Sequence, residues 1–188
     1  MSHRRESKQK AAKPSDTRVD KQGSDSGGDD SILKVTNAFD CNGYEIFRPF
    51  GTVKPGSNVH ISTWGLGTVL QMDPVLMELT DRKCKVSLLV GYSKSSHNTT
   101  ELMNNIREYQ YLGWCVKVLP SYHAKIWIID DWAWVGSANF VRGTITNLMV
   151  RVPKANIKDF ALLNWQQGVE VNSRTKLWLV PQAKIKMT

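Results

Sequence analysis

The strongest constraint on the fold is the succession of an apolar run, an amphipathic segment and a second apolar run between residues 85 and 119. Residues 85–92 (KVSLLVGY) have the length and apolar character of a strand that is buried on both faces. Residues 99–112 place apolar side chains at helical spacing, and residues 114–119 again resemble a strand. This alternation predicts an α/β domain with a mixed β-sheet flanked by helices.

Residues that favour caps and turns indicate where the elements begin and end. We expect Thr99 or Thr100 to cap the helix after the first apolar run and Gly113 to end it. A further helix over residues 68–82 is expected to start or be interrupted near Pro74. Other strands are predicted over residues 59–65, 123–130, 132–135 and 147–152, with a hairpin turn at Asp130 and Asp131, and a last helix over residues 157–168.

Residues 1–31 differ in composition from the rest of the chain. They contain no Ile, Leu, Phe, Trp or Tyr and are rich in Ser, Gly, Lys and Asp. Such a segment cannot bury enough apolar area to offset the entropy lost on ordering. We therefore expect a disordered N-terminal tail over residues 1–31 and one folded domain over residues 32–188. No apolar run follows Arg4 and Arg5, so a secretory signal is not expected.

Positive charge is concentrated in the predicted domain. The chain has 25 Lys and Arg residues against 17 Asp and Glu residues. The tail holds 7 of the bases and 6 of the acids, which leaves 18 bases, 11 acids and a net charge of +7 for residues 32–188. A basic body attracts polyanions over long range, which favours nucleic acid or an anionic membrane surface as a partner. Part of this charge lies in the C-terminal segment, on Arg174, Lys176, Lys184 and Lys186.

The three cysteines are Cys41, Cys84 and Cys115. An odd number without zinc-like spacing favours a reduced, cytoplasmic compartment. Cys115 lies in an apolar strand pattern and is expected to be a small core residue. No apolar stretch approaches the roughly 20 residues that cross a bilayer, so we expect a soluble protein without stable membrane association.

The residues that can carry chemistry begin in the predicted strand over residues 123–130. Side chains alternate between the two faces of a strand, so His123 and Lys125 are expected to project from the same side. Asp130 has the opposite parity and stands at the strand end. It is therefore expected to fix a turn rather than to touch a substrate.

A second group, Gly136-Ser137-Ala138-Asn139, ends the next predicted strand. The absence of a side chain on Gly136 would let an anion approach the backbone, and Ser137 and Asn139 offer uncharged hydrogen-bond donors. A histidine, a lysine, a hydroxyl and an amide that converge at adjacent strand ends make a phosphate site that contains a nucleophile. The sequence thus predicts phosphate-ester chemistry.

Together the two groups resemble the signature of the phospholipase D superfamily, H-x-K-x4-D-x6-G-S-x-N, with all six fixed residue types present in order. The resemblance implies a phospholipase D-like sandwich whose domain is a metal-independent phosphodiesterase without a cofactor. His123 would be the nucleophile that forms a phosphohistidine intermediate. Lys125 and Asn139 would bind the non-bridging phosphate oxygens, supported by Ser137. Asp130 would be structural.

The chain carries one copy of the motif, whereas longer members of the superfamily carry two. The histidine of the second motif protonates the leaving oxygen, so the resemblance implies a two-fold homodimer with His123 of each subunit facing the other. Members often place a Glu about ten residues after the motif Asn to orient the catalytic histidine. Residues 147–150 (Asn-Leu-Met-Val) contain no acid. Either another carboxylate orients His123 or the activity is weakened.

The residue type and sequence position of several residues outside the motif predict their roles. The candidate nucleic-acid contacts are basic or aromatic residues near the motif or in the C-terminal segment, namely Arg142, Trp64, Lys184 and Lys186. His60 and His97 are not expected to be catalytic. Three tryptophans are expected to lie in the core or an interface rather than to stack on bases, namely Trp127, Trp132 and Trp134.

The sequence supports three functions. A DNA endonuclease is favoured because the chain is small, carries a single motif and has a basic body. RNA fits the motif equally well, since attack by histidine does not involve the 2′-hydroxyl. A phospholipase would need an apolar surface near the site, and no amphipathic membrane-binding helix is evident. A dimer that keeps the motif only for phosphate recognition would bind nucleic acid without cleaving it.

Overall fold

The structure is a computed structural model that describes residues 32–35, 45–95, 98–142, 147–177 and 180. The predicted tail, His97, Lys184 and Lys186 lie outside the described residues. The described strands are β1 (Ile32–Val35), β2 (Asn58–Thr63), β3 (Lys85–Tyr92), β4 (Cys115–Pro120), β5 (Lys125–Ile129), β6 (Trp132–Gly136), β7 (Asn147–Pro153) and β8 (Val169–Glu170). The α-helices are α1 (Val69–Asp81), α2 (Thr99–Tyr111) and α3 (Lys158–Gln167), and 3₁₀ helices cover Glu45–Thr52 and Lys154–Asn156.

The strands form one mixed sheet in the order β1-β7-β6-β5-β2-β3-β4-β8. Strands β2, β3 and β4 run parallel, whereas the other neighbouring pairs run antiparallel. Parallel neighbours need a crossover, and α1 and α2 provide the two crossovers. Antiparallel neighbours can be joined directly, as β5 and β6 are. The predicted α/β fold with a mixed sheet and flanking helices is confirmed.

Strand β3 is buried on both faces, as its apolar run predicts. Leu88 and Val90 belong to the main core, while Leu89 packs on the opposite face beside Leu119 and Tyr122. Burial on both faces is typical of a strand in the middle of a parallel segment. The sheet therefore has a layer of side chains on each side.

Helix α1 begins at a capping box that the sequence analysis did not identify. The Thr68 hydroxyl accepts a hydrogen bond from the Gln71 N–H (3.2 Å), and the Gln71 side chain accepts one from the Thr68 N–H (3.1 Å). This box fixes the start of the helix ahead of Pro74. Pro74 lies inside α1 and neither starts nor interrupts it, so that prediction is wrong.

Helix α2 starts at Asn98, whose side chain accepts hydrogen bonds from the N–H groups of Thr100 and Glu101. The prediction of Thr99 or Thr100 as the cap is therefore wrong. Both threonines lie within the first turn, where the side chain of the preceding Asn is better placed to reach the free N–H groups. Gly113, with φ of 81°, follows the helix in the left-handed conformation, so its predicted role is confirmed.

An aromatic cluster joins the 3₁₀ helix Glu45–Thr52 to the middle of β5. The ring of Trp127 lies 5.3 Å from that of Phe47 and 5.1 Å from that of Phe50, measured between centroids. Trp127 has no exposed surface and Trp134 is buried, which confirms their predicted place in the core. Trp132 is 43% exposed and lies under the Arg151 guanidinium at 4.5 Å, so it is not a core residue.

Cys115 is exposed, so its prediction as a core residue is wrong. It is the first residue of β4, in which Val116 and Val118 face the main core. Alternation along the strand turns Cys115 to the other face. An apolar run does not by itself show which parity is buried.

Helix α3 covers the opposite face of the sheet through one buried residue, Ala161, which packs against Ile126, Ile128 and Ala133. Its Trp165 ring meets the ring of His60 edge-on at 5.6 Å. Among the described residues, no helix combines the length and the apolar character needed to cross a membrane.

The stability of the fold is expected to depend on pH through His60. Burial lowers the pKa of His60 from 6.5 to about 4. In the unfolded chain the imidazole takes up a proton near pH 6.5, whereas in the folded chain it stays neutral. Stability is therefore complete above pH 6.5 and falls as the pH drops toward 4, by up to about 3 kcal/mol.

Urea unfolding of the wild type and of a His60→Gln variant between pH 7 and 4 measures this dependence. The difference between the two unfolding free energies should change with pH, since Gln does not titrate and the carboxylates are common to both proteins. Parallel curves for the two proteins would contradict the prediction.

Candidate active site

The two halves of the motif meet because β5 and β6 form one hairpin. Lys125 is paired directly with Gly136 in the antiparallel register. His123 lies two residues before Lys125, in the segment that leads into β5, so the strand begins later than predicted. His123 and Lys125 nevertheless approach each other, as the predicted alternation requires.

His123 and Lys125 are in direct contact. The Lys125 Nζ lies 2.8 Å from His123 Nδ1 and 3.2 Å from Nε2, and it donates a hydrogen bond to the His123 carbonyl oxygen at 2.8 Å. Lys125 is only 5% exposed, whereas His123 is exposed. The Lys125 ammonium is thus in contact with both the ring and the backbone of His123, the predicted nucleophile.

The surroundings favour a neutral imidazole at His123. Desolvation and the nearby charge of Lys125 lower the pKa of His123. Burial also lowers the pKa of the Lys125 ammonium. A neutral imidazole has a free lone pair, which attack on phosphorus requires.

Asp130 anchors the turn at the other end of β5. Its carboxylate accepts hydrogen bonds from the Lys54 N–H (2.9 Å) and from the Ser57 hydroxyl, and its carbonyl oxygen accepts one from Lys154 Nζ (3.0 Å). Asp130 itself has φ of 54°, a left-handed conformation that Asp tolerates better than most residues. These contacts join the turn to residues 54–57 and to Lys154, and the structural role of Asp130 in the motif stays a prediction.

The interval between Asp130 and Gly136 departs from the superfamily signature. Ile129 pairs with Trp132, so only Asp130 and Asp131 form the turn, as predicted. Five residues therefore separate Asp130 from Gly136, one fewer than the x6 interval of the signature. The expected interval is therefore wrong for this chain.

Gly136 is needed for packing rather than for anion binding. A Cβ atom on Gly136 would lie 1.8 Å from the Leu148 carbonyl oxygen and 2.9 Å from the Met149 Cα atom of β7. The space that the missing side chain leaves is thus occupied by backbone. The predicted approach of an anion to Gly136 is wrong on this face.

Ser137 is turned toward β7. Its N–H donates to the Leu148 carbonyl oxygen (2.9 Å), and its hydroxyl accepts from the Leu148 N–H (3.0 Å) and donates to Asn147 Oδ1 (3.3 Å). The residue is exposed, but its hydroxyl is engaged by these two contacts. Ser137 thus ties the motif to β7, and a direct contact with phosphate stays a prediction.

The side chain of Asn139 is oriented by the loop that follows β2. Its Oδ1 accepts a hydrogen bond from the Gly65 N–H at 2.9 Å. The Phe140 N–H next to it donates to the Thr63 hydroxyl at 2.8 Å. The Asn139 amide N–H₂ group makes no hydrogen bond to the residues that the structure describes, which leaves two donors for an anion.

Trp64, between these two anchors, packs on His123. The centroids of the two rings are 4.8 Å apart and the rings are inclined at 54°. The sequence analysis placed Trp64 at the edge of the site as a nucleic-acid contact. Its contact with His123 was not predicted, and only the position of Trp64 near the end of a predicted strand signalled a role.

One further candidate contact, Arg142, and two bases of the C-terminal segment lie within the described residues. Arg142 is exposed three residues after Asn139, and Arg174 and Lys176 are exposed near the C-terminus. No described carboxylate contacts His123, and Asn147, in the region where an acid was sought, is buried against Ser137. Nowhere in the described ranges do three His, Cys, Asp or Glu side chains group closely enough to hold a metal ion.

Solved structures of several known proteins have a similar fold. The fold is similar to that of Nuc from Salmonella typhimurium, a phospholipase D family member, with a TM-score of 0.58 and 12% identity over 76% of this chain and 99% of the other. It is similar to NucT from Helicobacter pylori, with a TM-score of 0.54 and 15% identity over 75% and 98%. It is also similar to TrmBL2, an archaeal chromatin protein, with a TM-score of 0.51 and 13% identity over 75% of this chain and 54% of the other.

A comparison with curated proteins finds no significant match. The sequence family described as the PLD-like domain of cardiolipin synthase matches residues 54–173, which is well over half of the chain. This match spans the region from the loop that Asp130 anchors to the strand β8, with the whole motif inside it. The chain therefore belongs to the phospholipase D-like domain family, within the phospholipase D superfamily.

Proposed function

We propose that the protein is a metal-independent phosphodiesterase, and specifically an endonuclease that cleaves DNA. The observation that carries the proposal is the contact between the exposed His123 imidazole, whose pKa is lowered by desolvation and by Lys125, and the Lys125 ammonium. A neutral nucleophile beside a cation is the arrangement that attack on a phosphodiester requires. The free amide donors of Asn139 add a second ligand for the phosphate.

The reaction proceeds in two displacements. A nitrogen of His123 attacks phosphorus, and the bond between phosphorus and the leaving oxygen breaks as that oxygen takes a proton from a second histidine. Water then attacks the phosphohistidine, the phosphorus–nitrogen bond breaks, and the second histidine recovers the proton from the water. Lys125 leaves the imidazole to bind a non-bridging oxygen, where its charge offsets the charge of the transition state.

The second histidine comes from another copy of the chain. The motif occurs once in the sequence, and His123 is exposed rather than enclosed within the subunit. A two-fold axis beside His123 would place two such residues on opposite sides of one phosphate. We therefore propose that the enzyme is a homodimer whose site is shared between the subunits.

Nucleic acid is favoured as the substrate by charge. Residues 32–188 carry a net charge of +7, and such a surface attracts a polyanion over long range. The structural neighbour TrmBL2 is a chromatin protein with a described mode of DNA binding. A phosphodiester lipid is the alternative, since the matching family takes its name from cardiolipin synthase.

Incubation of the purified protein with supercoiled plasmid in excess chelator tests the proposal. We expect nicked and linear DNA to form, because Lys125 and Asn139 do the work of a divalent ion. Parallel reactions contain single-stranded DNA, RNA or phosphatidylglycerol vesicles. End-labelled DNA, quenched in alkali to preserve phosphohistidine, should transfer its label to the protein.

The outcomes separate the three functions. Lipid turnover with intact nucleic acid would replace the nuclease with a phospholipase. Binding of DNA without any product from any substrate would show that the motif serves recognition only.

A further inference from the structure

The exposed position of His123 raises the question of what holds its ring. An imidazole on the surface turns freely about two side-chain bonds, and the attacking nitrogen must point at phosphorus within a narrow range of angles. Lys125 and Trp64 are two described side chains that contact the ring, the first through its ammonium and the second through its indole. Lys125 would move to the phosphate during the reaction, so of these two contacts the one with Trp64 can persist.

The backbone on either side of Trp64 is fixed to the other end of the motif. The Gly65 N–H donates to Asn139 Oδ1 at 2.9 Å, and the Phe140 N–H donates to the Thr63 hydroxyl at 2.8 Å. The Thr63 hydroxyl in turn donates to the Gly65 carbonyl oxygen at 2.6 Å. The segment 63–65 therefore places the Trp64 ring relative to Asn139.

The Trp64 ring lies close to the backbone of strand β3 at Gly91. A Cβ atom on Gly91 would lie 3.3 Å from the Trp64 ring and 1.6 Å from the Tyr122 carbonyl oxygen. The missing side chain at Gly91 thus lets Trp64 and the residue that precedes His123 pack on the same stretch of backbone. Trp64 therefore lies close to the Gly91 backbone and to the ring of His123.

We propose that Trp64 is a positioning residue for His123, which holds the imidazole in line with the phosphate ligand Asn139 in place of an orienting carboxylate. This inference rests on the proposed function. No described carboxylate contacts His123, and residues 147–150 contain none. The Trp64 ring restricts rotation of the His123 imidazole but accepts no strong hydrogen bond from the imidazole N–H. A carboxylate would accept such a bond and favour the protonated imidazole, whereas Trp64 orients the imidazole without raising its pKa.

Steady-state cleavage by Trp64→Leu, Trp64→Phe and the control Trp132→Leu tests the proposal. We expect kcat of Trp64→Leu to fall about tenfold with KM within about twofold, because orientation matters in the transition state and not in binding. Trp64→Phe keeps an aromatic face and should stay within about threefold of the wild type. Trp132 lies at the far end of the hairpin, so its variant should have wild-type kinetics.

The His123 Hε1 resonance, assigned by its loss in His123→Ala, gives a second reading. Packing of the Trp64 ring at 4.8 Å should shift this signal, and the shift should disappear in Trp64→Leu and persist in Trp64→Phe. A rise in KM at unchanged kcat would make Trp64 a substrate contact and overturn the proposal, as would wild-type kinetics in Trp64→Leu. If Trp64→Leu does not fold, the Trp64→Phe variant gives the test. Loss of the His123 Hε1 shift together with wild-type kcat in that variant would also overturn the proposal.

Failure of the proposed function is distinct from these results. In that case the wild type itself cleaves no DNA, and the Hε1 signal alone reports whether Trp64 holds the ring.

Discussion

Replacing His123 with Ala is expected to slow DNA cleavage by about a thousandfold or more, since the variant lacks the atom that forms the bond to phosphorus. The exposed imidazole contributes little to the core, so the variant should fold and unfold like the wild type. The decrease should lie in kcat, measured with plasmid in chelator. Single-turnover rates with end-labelled DNA would locate the loss in the first displacement.

The same variant examines the shared site. Since each dimer would need two copies of His123, a mixed dimer should be inactive. After subunit exchange, a threefold excess of His123→Ala should reduce the activity of a fixed amount of wild type to roughly a quarter. Unchanged wild-type activity in the mixture would argue that each subunit works alone, and unchanged activity of the variant would remove His123 from the chemistry altogether.

Replacing Gly136 with Ala is expected to destabilise the protein by about 3 kcal/mol or more. The new methyl group would lie 1.8 Å from the Leu148 carbonyl oxygen and 2.8 Å from its carbonyl carbon, so β6 and β7 must separate. Separation would weaken the hydrogen bond from the Ser137 N–H to Leu148, which is 2.9 Å long. Urea unfolding monitored by circular dichroism measures the loss.

Gly51→Ala is the matched control, because a Cβ atom there would meet nothing within 4 Å. Its unfolding free energy should stay within about 1 kcal/mol of the wild type. Equal stability of the two variants would mean that β6 and β7 lie farther apart than described. Because Gly136 is paired with Lys125, the Gly136 variant should also lose activity wherever it stays folded.

Much of the sheet could be predicted because its strands are marked by composition alone. The run over residues 85–92 coincides with β3, and the two aspartates 130 and 131 mark the hairpin turn. Helix caps were harder to assign, since Asn98 and two threonines follow one another and any of them can accept the hydrogen bond. Packing across the sheet decides which alternate residues of β4 face the main core. The exposure of Cys115 follows from that choice.

Contacts in the candidate site between residues close in sequence could be predicted. Contacts between residues far apart in sequence could not. His123 and Lys125 are two residues apart, so backbone alternation was enough to bring them together. The contacts of Asn139 with Gly65 and of Trp64 with His123 join residues more than fifty positions apart. No short-range pattern encodes such contacts, and Gly136 likewise shows its purpose only once β7 lies against it.

The two-residue turn at Asp130 and Asp131 has a consequence for how the site is assembled during folding. The His–Lys and Gly–Ser–Asn halves of the motif meet when β5 and β6 pair. Closing so short a loop costs little chain entropy. The hydrogen bond between Thr63 and Phe140 instead closes a loop of 77 residues, at an entropic cost greater by about 3 kcal/mol. The two halves of the motif can therefore come together at a small entropic cost when the hairpin forms. Their final alignment depends on the contact between Thr63 and Phe140, which requires the rest of the domain to fold.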